Sequence, residues 1–590
     1  MKKLLLSIFV ALAVTTSLSA RTSSLTRDYV TPARVLWTSG NVSGAEALLQ
    51  NNPGQATFGA VSCCSLTSAE GSPASLLLDF GVEFQGGLQI VTSMYPSGQP
   101  IKVRIRFGES VTEAMSDICP ETGATNDHAI RDFEAELPWF GLREFGNSGF
   151  RFVRLDVLDI DKTLVLSEVC GIREYRDLEY VGTFCSDDER LNEIWHTGAY
   201  TVHQNMQQYI WDGIKRDRLV WIGDMHPEVM CVNTVFGDED VVEKSLDLAR
   251  DCAPLPSMMN GMSAYSLWWL IIHRDWYKYQ GDAGYLVSQK DYMKGLVDVL
   301  ISKIDKNGRD TIEDHFLDWP SRADEKASGT GFHALFIMAL EASEEIFSLE
   351  GESEYAMKCS EALKLLRSVA PKVAKEFFAE KKPASDLGRK QAVALMCLAD
   401  MITPEQAAPA LLTDGALGFS TFYGYYMLEA LAKCGKYDEA LDIVSSFWGG
   451  MLDLGATTFW EDFDIRWLEN AARIDEFTPA GKVDVHLTYG GYCYKQLRHS
   501  LCHGWASGPT SFMTKHILGL YPVSYGSTVV RLEPHMGHLT SLSGSLPTPY
   551  GPVKVDLVKD SSGKISAFIS SPSKVLVDVA DYVEVESWIF

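Results

Sequence analysis

The hydrophobic pattern of this chain changes period twice, and that constrains its fold more than any single motif. From residue 25 to about 178, apolar and polar residues alternate in short runs. Examples are Ser75–Asp79, Gly87–Thr92, Lys102–Phe107 and Phe150–Val157. A period of two is what a half-buried strand requires. Pro96–Pro100 and Gly146–Gly149 supply turn chemistry between the runs. Near Ser186 the period becomes helical and stays so almost to residue 520, through Asp238–Arg250, Ser263–Tyr279, Tyr285–Ile304, Gly329–Leu349, Ser353–Phe378, Thr421–Cys434 and Lys436–Phe447. Ser186 or Asp187 is the expected N-cap of the first helix. Beyond Pro522 alternation returns in Thr528–Leu532, Val553–Val558, Ile565–Ile569 and Val575–Val579.

The pattern predicts a multidomain chain: an N-terminal β-sandwich over 21–178, a helical domain over 179–522 and a small C-terminal β-sandwich over 523–590. At roughly 150 residues per domain, 590 residues suit three or four units. The helical part has no strict repeat, so a closed helical barrel is expected rather than a solenoid. Residues 1–20 read as an export signal, with Lys2 and Lys3 ahead of an apolar run, Leu4 to Val14, that is too short to span a membrane. The expected location is therefore periplasmic or secreted.

Removing Lys2 and Lys3 leaves 50 basic against 78 acidic residues, a charge of −28. That argues against a nucleic-acid partner or an anionic membrane surface, both of which select basic patches. A neutral substrate fits better than an acidic polymer. The twelve Cys contain no CxxC pair, which argues against zinc, and most read as buried thiols with room for one or two bridges.

The segment Asp212–Asp224 places three carboxylates, three cations and Trp221 within thirteen residues. Such groups are costly to bury unless paired. Trp221 and the flanking Trp211 offer flat faces for a sugar ring. Acids beside a stacking platform suit acid/base chemistry on a neutral polyol, although a solvated turn with salt bridges has the same composition.

Set in its β–helix–β frame, the segment resembles the signature of the α-L-rhamnosidases of glycoside hydrolase family 78. It reads Asp212, Arg216-Asp217, Arg218-Leu219, Trp221, Gly223-Asp224. A second motif of that family stands at Ala456–Glu461 and a third at Ser500–Gly508, which contains His503. Phe84–Gly87 and Gly149–Arg154 resemble its first sandwich, and Leu532–Pro534 with Leu546–Gly551 its last. The resemblance covers nearly all of the chain beyond the signal. It implies an (α/α)6 six-hairpin barrel between the two β-sandwiches, and an inverting exo-glycosidase that needs no metal or cofactor.

An inverting glycosidase pairs a general acid with a general base ~6.5–9.5 Å away. By resemblance, Asp217 is the acid and Glu461 the base, with Asp212, Arg216, Trp221, Asp224, Trp319 and His503 holding the sugar. Asp217 stands where Glu is commoner, so its backbone must approach the sugar more closely. A cluster of acids is expected to raise the pKa of at least one member, while Arg216 keeps its own partner ionised. Trp268 and Trp269 read as packing, and Asp318 and Tyr265 as weaker site candidates. The rival readings are a barrel glycosidase for another sugar and a sugar-binding homologue whose catalytic pair has decayed.

Overall fold

The structure is a computed structural model and describes residues 22–58, 62–381, 383, 385 and 387–589. The expected export signal, 1–20, lies outside the described residues. The N-terminal region is a nine-stranded antiparallel sheet. Its central strand, Ser75–Thr92, pairs with Gly141–Val157 on one side and Lys162–Arg176 on the other. The two runs expected at Ser75–Asp79 and Gly87–Thr92 are thus one strand. Register breaks between Asp79 and Phe84 and between Gly86 and Leu88 bend it. Gly86 is required there, because a Cβ would fall 1.7 Å from the Ile172 carbonyl oxygen. The sheet closes over Phe84, Phe107 and Phe150, all fully buried, with the last two stacked at 4.5 Å. Each such ring contributes roughly 1.5–3 kcal/mol by leaving water.

One expected turn is not a turn. Gly146–Gly149 lies inside the strand Gly141–Val157. Gly146 adopts φ 83°, and a Cβ there would meet the Phe107 ring at 2.6 Å. Its glycine serves close packing rather than chain reversal.

Among the described residues, eleven helices of nine or more residues run from Glu189 to Asp453. The first, Glu189–Asn205, is capped by Asp188, whose carboxylate accepts from Arg190 N at 2.9 Å and Leu191 N at 3.3 Å. The cap therefore sits one residue beyond the expected Asp187, and such caps contribute about 1 kcal/mol. Ser186 instead donates to Asn192 Oδ1 at 3.0 Å. In Tyr437–Asp453, Ala440, Leu441, Val444, Phe447 and Trp448 form the buried stripe, with Asp438 and Glu439 at the positive N-terminal end.

Helix contacts follow a circuit. Ile222–Val235 packs on Ser263–Gln280, that helix on Glu325–Leu349, and the next partners are Arg389–Leu398, Gly424–Lys433 and Gly508–Phe512, which returns to Ile222–Val235. The C-terminal region has a five-stranded and a three-stranded sheet. The five-stranded sheet recruits Thr183–Ser186, which pairs with Ser541–Leu546. The segment leading into the helices is thus bonded to the far end of the chain.

Candidate active site

The segment after the helix Glu189–Asn205 is a loop tied at several points. Asp212 N donates to Leu219 O at 3.0 Å, and Leu219 N returns a bond to Asp212 Oδ1 at 2.9 Å. Between them Asp217 and Arg218 both adopt left-handed backbone, φ 54° and 58°. Two successive non-glycine residues in that region carry strain that the surroundings must hold, a feature that clusters at functional sites. Lys215 supplies the anchor. Its buried ammonium lies 2.8 Å from Glu109 and 3.3 Å from Glu113, and donates to the Leu497 and His499 carbonyls at 3.0 and 2.7 Å. The acid loop is thereby bound to the N-terminal sheet region and to the 497–499 loop at once.

All eight residues singled out from the sequence line one pocket: Asp212, Arg216, Asp217, Trp221, Asp224, Trp319, Glu461 and His503. Arg216 is its hub. One guanidinium nitrogen bonds Glu461 Oε1, while Nε lies 3.8 Å from Asp217. Glu461 Oε2 accepts from Ser500 N at 3.1 Å. Asp217 faces His128 Nε2 at 3.5 Å. Asp224 accepts from the Tyr265 hydroxyl at 3.0 Å. His503 Nδ1 donates to the Asp212 carbonyl, which leaves Nε2 facing Glu461 at 3.7 Å and Asp224 at 3.8 Å. Trp221, Trp319 and Trp505 supply aromatic walls.

Burial dominates the electrostatics. Asp212 and Asp224 are each 3 % exposed, and desolvation holds both carboxyls well above the usual range. The neighbouring acids add to this shift; for Asp224 the Tyr265 hydroxyl opposes it. Burial pushes Glu461 up to about 7 against the opposing pull of Arg216 and the Ser500 amide. Burial also keeps His503 neutral, its pKa well below the usual value, with Arg216 contributing. The site thus offers two carboxyls whose neutral form burial favours, a third carboxyl bonded to one guanidinium, and a neutral imidazole.

The remaining expectations separate. Tyr265 joins the pocket. Asp318 does not: it accepts from Ser420 and from Gln391 at 3.2 Å and orders the loop that carries Trp319. Trp211 lies under the Arg218 guanidinium at 4.5 Å rather than in the pocket. Trp268 stacks on Tyr426 at 4.6 Å in the core. Sequence reasoning missed Met262, Phe316, Cys493 and Trp505, which also line the pocket. Two of them had a signal: Trp505 falls inside the Ser500–Gly508 motif, and Phe316 opens the Phe316–Pro320 stretch that carries Trp319 and resembles a pocket-lining loop of the α-L-rhamnosidases. It also missed Glu228, one turn below Asp224, which is 1 % exposed with neither oxygen hydrogen-bonded.

Glu109, Glu113 and His486 approach closely enough to suggest a cation site. The Lys215 ammonium already lies against both carboxylates, and His486 is engaged by Ser110 Oγ at 2.7 Å and the His499 carbonyl at 2.9 Å. Elsewhere, Cys397 and Cys434 meet at 3.9 Å between sulfurs, a contact rather than a bridge. Among the described residues no helix is long and apolar enough to cross a membrane.

Comparison with known proteins agrees with this layout. Residues 179–517 match the family model described as the bacterial α-L-rhamnosidase six-hairpin glycosidase domain. A curated α-L-rhamnosidase of Formosa agariphila is 25 % identical over 504 residues, 77 % of this chain and 50 % of the relative. This chain therefore spans about half the length of that relative. Among solved structures, the family 78 rhamnosidase of Bacillus sp. GL1 superposes with a TM-score of 0.75 at 22 % identity, over 92 % of this chain and 56 % of that one. The Streptomyces avermitilis α-L-rhamnosidase, solved with L-rhamnose, gives 0.69 at 17 %, over 94 % and 50 %. A Klebsiella oxytoca rhamnosidase with rhamnose bound gives 0.62 at 19 %, over 83 % and 96 %. The shared fold is a rhamnosidase-like multidomain one, with a helical domain and β-sheet domains. With more than half of its length matched by that model, this chain belongs to the bacterial α-L-rhamnosidase six-hairpin glycosidase family.

Proposed function

We propose that the protein is an exported, inverting exo-α-L-rhamnosidase that releases terminal α-L-rhamnose from a glycan or glycoside. The observation that carries this reading is the meeting of Asp217 and Glu461, 244 positions apart in sequence, beside one guanidinium in a single pocket. Glu461 acts as general base. Arg216 and the Ser500 amide favour its carboxylate, and the neutral His503 Nε2 faces it. Asp217 gives its proton to the leaving oxygen. Asp212, Arg216, Asp224 and His503 hold the sugar hydroxyls while Trp221 and Trp319 pack on the ring. The circuit of helix contacts supports an (α/α)6 barrel, and the flanking sheets support the two sandwiches. The basic and apolar N-terminal segment supports export to the periplasm or beyond.

A second assignment of the acid has an observation behind it. Asp224 is a buried carboxyl held well above the usual range, as a general acid near neutral pH must be. Leaving-group dependence separates the two. Fluoride departs without a proton, so an Asp→Asn variant of the true acid loses its rate on rhamnosyl sugars and keeps most of it on α-L-rhamnosyl fluoride. The expected outcome is that Asp217→Asn behaves this way, while Asp224→Asn loses both. Glu461→Gln also loses both. The reverse pattern for the two aspartates assigns the acid to Asp224. Turnover of other aryl glycosides in preference to the α-L-rhamnoside overturns the sugar.

A further inference from the structure

Beside the catalytic pocket lies a second depression of about 250 Å³ that shares none of its lining residues. The partition between them is the stacked pair Trp319 and Tyr492, with ring centroids 5.8 Å apart. Glu461 lines the pocket, and the next residue, Asp462, lines the depression. Trp467 and Tyr489 stack at 5.0 Å with nearly parallel planes to form an aromatic wall, and Phe419 and Tyr492 add two more rings. Tyr492 is held at φ 58° and is 40 % exposed, so its ring is kept at the surface by a strained backbone. Two carboxylates, Asp462 and Asp464, line the depression, and among the described residues no lysine or arginine does. Two cations close to the lining are engaged. Arg466 is bonded by Asp464, and Lys390 donates to the Gly415 carbonyl at 2.7 Å.

Flat rings beside carboxylate acceptors suit a hydroxyl-rich, uncharged ligand. The rings cover the apolar face of a sugar, and the carboxylates accept its hydroxyl protons. A uronate there would meet Asp462 and an Asp464 already paired with Arg466, and no lining cation among the described residues to receive its charge, an arrangement that disfavours it. We propose that this depression is a second sugar-binding subsite, which holds a neutral saccharide unit of the substrate beyond the rhamnose and excludes a uronate. The proposal rests on the rhamnosidase reading and deepens it.

The test compares kcat/KM on three substrates: α-L-rhamnosyl fluoride, which has no second sugar; a rhamnosyl oligosaccharide with neutral hexoses; and its counterpart carrying a uronate. Wild-type protein should favour the neutral oligosaccharide over the uronate. Tyr489→Ala, which lies outside the catalytic pocket, should lose roughly tenfold on the neutral oligosaccharide and change less than about twofold on the fluoride. Asp464→Asn keeps the side-chain acceptor at the start of the Ile465–Glu469 turn and should narrow the preference against the uronate. It decides the matter alone should Tyr489→Ala fold poorly. Equal losses on fluoride and oligosaccharide, no loss on either, or a wild-type preference for the uronate overturns the subsite. A wild-type protein inactive even on the fluoride overturns the rhamnosidase reading instead.

Discussion

Replacing Arg216 by Met removes the only guanidinium bonded to Glu461 among the described residues. Both side chains are nearly buried, at 7 % and 3 % exposed. Removing one partner of a buried pair costs about 3–5 kcal/mol because a charge is left uncompensated. Glu461 can escape that cost by taking a proton. At 1.36 kcal/mol per pKa unit the cost corresponds to a rise of about 2–3.5 units. The Glu461 carboxyl, already up at about 7, then titrates above roughly 9. A base is useless when protonated, so at pH 7 the active fraction falls from about one half to about one hundredth or less, a loss of roughly 50-fold or more. The assay is the pH profile of kcat/KM on α-L-rhamnosyl fluoride, whose acid limb reports the base in the free enzyme. The limb should move to higher pH by about two units or more. A lowered plateau with the limb still near 7 would refute the reasoning, because Arg216 would then act only on the sugar.

Three further outcomes follow from the same buried charges. Glu461 and Asp462 are held up to about 7 and Asp318 up to about 6, chiefly by burial, so between about pH 4 and 7 each of these three carboxyls binds more protons in the folded chain than in the unfolded one. Their share of the stability should therefore fall as pH rises from about 5 to 8, read as a shrinking Tm advantage of the wild type over an Asp318→Asn/Asp462→Asn variant; an advantage that grows over that range contradicts the shifts. Gly504→Ala would place a Cβ 1.6 Å from Glu228 Oε1 and should cost about 1–3 kcal/mol in chemical denaturation; adding Glu228→Ala should return part of it, and strict additivity would refute the contact. Lys215→Met strands Glu109 and Glu113 and should destabilise by about 3–5 kcal/mol; a change below about 1 kcal/mol would show that the cluster does not anchor the loop.

The three regions were legible because the hydrophobic period changes at each of their two boundaries, and most of the candidate site because all of its residues but Trp319 fall in three dense stretches. Ser353–Phe378 is helical over the span its pattern predicts, since only one face is buried. Ile222–Val235 has no such pattern: all fourteen of its residues are buried and Pro227 lies inside it. No amphipathic stripe forms where every face meets protein. Thr183–Ser186 is another blind spot, because its strand partner lies more than 350 residues away. The Lys215 anchor and the Glu228–Gly504 contact were hidden for the same reason. Their members come from distant strands, helices and loops, each unremarkable alone. Asp188 took the cap because its carboxylate reaches two amides of the first turn, while Ser186 found Asn192.

The central claim is that Asp217 and Glu461 form an inverting pair acting on α-L-rhamnosides. Proton NMR of the first-formed sugar during hydrolysis of an aryl α-L-rhamnoside tests it directly. The account predicts β-L-rhamnose ahead of mutarotation. α-L-Rhamnose as the first product, or no hydrolysis, would contradict it.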